Sequence, residues 1–64
     1  MRNPNKVIDR QVEAIFNRIG NGIQFNIMDL RYIDGAARNV LLAGGSLEVA
    51  EEAMAGAIEV YRVN

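Results

Sequence analysis

Apolar side chains recur every three or four positions along three segments of this chain, and glycines stand between the segments. That period matches the 3.6 residues of an α-helical turn, and the glycines mark where one rod has to end and the next begin. In the first segment Ile8, Val12, Ile15, Phe16 and Ile19 form one stripe, while Asp9, Arg10, Glu13 and Arg18 fall off it and are expected in water. Asn3-Pro4 reads as its start, because an Asn side chain accepts from free first-turn amides and proline at the first helical position needs no donor. Gly20 is expected to close the helix in the left-handed conformation.

The second stripe runs through Leu30, Ile33, Ala37, Val40 and Leu41, preceded by Asn26 as a cap and by Asp29 near the positive end of the helix dipole. Asp34 and Arg38 lie four apart with the acid first, the orientation that favours a surface pair. Gly44-Gly45-Ser46 ends this helix and caps a third, in which Leu47, Ala50, Met54, Ala57 and Tyr61 repeat as a seam. Glu48, Glu51 and Glu52 stand near its positive end. Between the first two helices, Gly20-Asn21-Gly22 signals a turn, and Ile23-Gln24-Phe25 should run extended with its apolar side chains inward.

The pattern therefore predicts a single all-α domain over residues 1–64, a small three-helix bundle with helices at about 4–19, 27–43 and 47–61. A competing α+β arrangement pairs 23–28 with 58–63 as two short strands, since Ile23, Phe25 and Ile27 alternate and Val60-Tyr61-Arg62-Val63 is rich in strand-forming types.

With 64 residues, no cysteine and no histidine, the chain has no disulfide and no histidine or cysteine metal cluster to reinforce a thin core. A second copy is one remedy, so a dimer is expected as an option. The same composition bears on chemistry. Nucleophilic dyads lack their usual base, and Ser46, the only serine, already serves as a cap. Glu48, Glu51, Glu52 and Glu59 cannot complete the Glu-x-x-His element of a helical di-metal site and read as a solvated acidic face. Gly20-Asn21-Gly22 follows no strand and lacks the third glycine of a dinucleotide fingerprint, and no Walker lysine is present. A non-enzyme is expected, with no catalytic residue, metal, cofactor or small-molecule substrate.

Seven basic and eight acidic residues give a formal net charge of -1 and no general field toward nucleic acid or an anionic membrane. Met1-Arg2-Asn3-Pro4-Asn5-Lys6 leads into a charged segment rather than an apolar leader, and no stretch reaches the roughly 18 apolar residues of a membrane span. The absence of cysteine fits a cytoplasmic protein.

Two of the helices carry more apolar surface than a bundle requires. Phe25, Met28 and Tyr32 form a second line beside the Leu30/Ile33/Ala37 face, and Val49, Ala53, Gly56 and Val60 form a line of small and β-branched residues that lets another backbone approach. One reading has these lines covered within the fold, with the first lying over the 20–25 connection. The other makes them a contact face for a second copy or a different protein, because large contiguous apolar patches are seldom left bare on monomers. The preferred expectation is a small protein-binding or regulatory module that self-associates through this face, of the kind an accessory protein of a phage or mobile element could use against a host factor.

Ala43-Gly44-Gly45-Ser46-Leu47-Glu48-Val49-Ala50, following Ala37-Arg38-Asn39-Val40, resembles the turn of a helix-turn-helix. That resemblance implies a DNA-binding regulator with Lys6, Arg10, Arg31 and Arg38 as phosphate contacts. Glu48, Glu51 and Glu52 would then occupy the early recognition helix, where phosphates repel them. Residues 40–54 are also similar to the second and third helices of ubiquitin-associated-type domains, which implies protein binding. Ile19-Gly20-Asn21 stands where that family has a Met-Gly-Phe type loop, and a longer insertion follows it.

Overall fold

Three helices form where the capping chemistry places them: α1 over Pro4–Ile19, α2 over Ile27–Leu42 and α3 over Leu47–Tyr61. The computed structural model describes residues 4–61, and the side chains from Lys6 onward. Proline is the first residue of α1, as its fixed φ and missing donor favour. Asn3, expected as the cap, lies outside the described residues. Asn26 caps α2, its side-chain oxygen accepting from the Asp29 amide at 2.8 Å. Ser46 does the same for α3, accepting from the Val49 amide at 3.1 Å.

The α2–α3 junction is a Schellman turn. Gly45 N–H donates to Val40 C=O at 2.8 Å and Gly44 N–H to Leu41 C=O at 3.1 Å, with Gly44 at φ +90°. Helix α2 thus stops at Leu42, with Ala43 as its C-cap, one residue short of the expected 43. A Cβ at Gly45 would lie 2.5 Å from Val40 Cγ1 and 3.0 Å from the Val40 carbonyl oxygen. The close oxygen is backbone and holds the turn's own hydrogen bond, so it has little room to retreat. Gly45→Ala is therefore expected to cost about 1–3 kcal/mol, the range of other steric overpacking. A urea midpoint unchanged from the wild type would show that the turn yields without penalty.

Gly20 plays a different part from the expected one. It does not adopt a positive φ; Gly22 does, at +88°, in a turn closed by Ile23 N–H to Gly20 C=O at 3.3 Å. The reason for glycine at position 20 is space: a Cβ there would lie 2.6 Å from the Phe16 ring. Phe16 in turn packs on Phe25, ring centroids 6.2 Å apart, so the close approach at Gly20 lets the connection fold under the end of α1.

Residues 23–26 run without regular structure, and Ile23 and Phe25 pack against the core while Gln24 stays exposed. The alternative strand pairing of 23–28 with 58–63 is not found: positions 27, 28 and 58–61 are helical, and 62–63 lie outside the described residues. An apolar face eleven or more residues long, capped at its start, satisfies every interior backbone group within one helix, which two isolated strands could not do.

Val12 and Ile15 of α1, Ile33 and Ala37 of α2, and Ala50, Met54 and Ile58 of α3 make the buried core. Helices α2 and α3 share the largest contact, and α1 lies across both. Two seam positions depart from expectation. Leu47 is exposed, and Ile58 rather than Ala57 reaches the centre, with Ala57 and Tyr61 packed at its edge. Leu30 likewise sits at the margin instead of inside.

Candidate functional site

Two surface features bear on function, and they lie on different sides of the bundle. The first is where α1 meets α2. Arg38 donates from Nε to Asp34 Oδ2 at 2.9 Å and from Nη2 to Asp34 Oδ1 at 3.2 Å, and also reaches Asp9 on α1. The bidentate bond to Asp34, then the bond to Asp9, hold the guanidinium further above its already high ordinary pKa. Beside this group is a cavity of about 230 Å³ with Val12, Phe16, Leu30 and Met54 as its apolar lining and Asp9, Glu13 and Asp34 at its rim. It falls below the roughly 300–1,000 Å³ of most ligand pockets. Sequence reasoning did not foresee this cavity, which needs the docking of α1 on α2 before it exists.

The second feature is the apolar surplus of α2 and α3. At about 100° per residue, Tyr32 sits two residues, hence about 160°, around α2 from Asp34, which faces α1. On α3 the residue facing α1 is Glu51, ion-paired to Arg18. Val49 and Ala53 are each two residues from Glu51, and Val60 is nine residues away, so by the same 100° step all three point about 160–180° away from α1. Both lines accordingly lie on the side of the α2–α3 pair that α1 leaves uncovered. They are joined there, because the Tyr32 and Tyr61 rings stack at 5.3 Å with an interplanar angle of 22°.

Exposure confirms that nothing in the described fold covers this side. Val60 is 70% exposed, Met28 and Tyr32 each 61%, and Val49 49%. Gly56 is exposed with open space around it, and Ala53 is half-buried. An open hollow of about 250 Å³ lies among Met28, Arg31 and Tyr32. Of the seven residues named from the sequence for a partner face, Phe25 alone turns inward, against Phe16. The bundle thus brings Met28, Tyr32, Val49, Ala53, Gly56 and Val60 to one side. Ile27, the most exposed large apolar side chain among the described residues, was not named from the sequence; it lies three residues before Leu30, in line with the first stripe of α2 and not on the open side.

The four cations named as phosphate contacts differ in their surroundings. Arg38 is spent on Asp34 and Asp9, and Lys6 and Arg10 of α1 and Arg31 of α2 are exposed. Among the described residues no group of three or more acidic side chains is placed to hold a metal ion, and no helix is long and apolar enough to cross a membrane.

Fold and surface together define a capped three-helix bundle with one apolar side left open. No family model matches the chain, and no curated protein or solved structure shows significant similarity to it.

Proposed function

We propose that the chain is a non-enzymatic protein-binding module that works through the side of α2 and α3 turned away from α1. The observation that carries this reading is the coincidence of the two surplus apolar lines on one side. Scattered singly, exposed apolar residues need no explanation. Gathered into one patch they cost solubility, and they persist where a partner covers them. The residue types suit such a surface: Met28 adapts its shape, Tyr32 offers a ring with a polar tip, and the small residues between Val49 and Val60 allow a close backbone approach.

The chemistry assigned to the surface is contact, with no catalytic group, cofactor or small-molecule substrate. A regulatory role in the cytoplasm, including that of an accessory protein acting on a host factor, fits a module of this kind. DNA binding draws less support, because Arg38 is occupied and the early turns of α3 carry Glu48, Glu51 and Glu52.

Photo-crosslinking tests the reading. A benzoylphenylalanine placed at Tyr32 or Val60 should form protein adducts in cell extract, while the same group at exposed Asn17 on α1 should not. Equal adduct yields from all three positions, or none from the first two, would remove the support for a binding face.

A further inference from the structure

Building on the binding-face reading, we infer that the occupant of the open α2–α3 side is a second copy of this chain. The two copies pack their helix pairs face to face as a four-helix layer, with an α1 outside each. Three observations on the surface favour this partner.

The first is size. Two helices of 15 and 16 residues at a rise of 1.5 Å per residue are about 23 Å long, and with neighbouring axes 8–10 Å apart they present roughly 450 Å² of face. Two such faces bury roughly 900 Å², enough for a weak reversible dimer and too little for a permanent one. A face made by two neighbouring helices can also be matched by another copy of itself, as an isologous contact requires.

The second is charge. The chain carries a net charge of only -1, so two copies meet little overall repulsion. Within the face, Tyr32, Val49, Ala53, Gly56 and Val60 hold no charge to desolvate.

The third observation selects the arrangement. Along its far edge α3 carries Glu48 and Glu52, whereas the far edge of α2 carries Met28, Gly35 and Asn39 together with the exposed cation Arg31, which borders the same hollow as Met28. Placing α3 on α3 would set acidic edges side by side. Placing α2 of one copy over α3 of the other sets each acidic edge beside the edge that carries Arg31, and this is what a two-fold axis parallel to the helices produces. That axis brings both Tyr32–Tyr61 stacks and both Val60 side chains together at one end. At the centre the small residues Ala53 and Gly56 lie under the opposing α2, where they permit a short interhelical distance.

Sedimentation equilibrium on the full chain, from low micromolar to millimolar concentration, should show the mass rising from one copy to two. Ala53→Glu places a charge at the centre of the face and should weaken the dimer roughly 30-fold or more, as the loss of a hot-spot contact does. Because Ala53 is half-buried, Val60→Lys serves as a second variant at a site already in solvent. It should also weaken the dimer while helical dichroism stays unchanged. A strict monomer at millimolar concentration, or a dimer indifferent to Val60→Lys, overturns the inference. A monomer that still yields adducts of a different protein from Tyr32 and Val60 would leave the binding-face reading standing and exclude the second copy as its occupant.

Discussion

Replacing Ile33 with alanine is expected to remove about 2–5 kcal/mol of stability, the range for deleting most of a buried aliphatic side chain. Ile33 and Met54 are the largest side chains with no exposed surface, each at 0%. They sit on α2 and α3, the pair whose contact dominates the fold. A cavity there cannot be closed cheaply, because α1 already lies across both helices. The size of the effect matters because of how little there is to lose. A domain of 64 residues at about 0.05–0.15 kcal/mol per residue has a total of roughly 3–10 kcal/mol. Ile33→Ala should therefore leave a chain that is partly unfolded in water, or one whose urea midpoint lies far below that of the wild type. The measurement belongs at low micromolar concentration, so that mass action from any self-association adds nothing. A loss under about 1 kcal/mol would mean that the interior is not close-packed around this residue.

Ala37→Leu is expected to destabilise as well, although it adds apolar surface. Ala37 on α2 and Ala50 on α3 are both at 0% exposure, in a core whose other members are longer. Alanine at these places lets the two helices approach, and three further carbons would have to push the backbones apart or leave their rotamers. Such overpacking costs about 1–3 kcal/mol. Ala14 on α1 is exposed, and Ala14→Leu, which adds the same atoms in solvent, should stay within about 0.5 kcal/mol of the wild type. Thermal or urea unfolding of the two variants side by side isolates the packing effect from the change in helix propensity. Equal stability of both would show that the α2–α3 spacing is slack.

The ends of the helices were legible because each is written in local chemistry. Pro4 tolerates only the first turn of a helix, Asn26 and Ser46 carry acceptors one residue before their helices, and Gly44 takes the left-handed position that ends α2. The two surplus lines were legible for the same reason, since a helical period of apolar residues can be counted along the chain. What counting cannot do is choose among apolar residues when a helix is apolar around much of its circumference. On α3 the period supports Ala57 as readily as Ile58, and only the positions of α1 and α2 decide that Ile58 is buried and Leu47 is not.

Gly20 and Arg38 show the same limit at close range. A glycine after a helical stripe suggests a left-handed cap, yet Gly20 is small because the Phe16 ring folds back against it. The Asp34–Arg38 pair could be counted at four residues' separation. Asp9, which completes that ion cluster from 29 residues away, is invisible until α1 docks.

By itself, then, the order of residues determined three capped rods, each with its apolar stripes, because capping and periodicity involve neighbours within one or two turns. Tertiary structure alone decided which stripes are spent inside, that the remaining two share one side, and that Arg38 is held between two helices. Those outcomes depend on how the rods are rotated about their own axes, and that rotation is settled only when all three compete for the same small core.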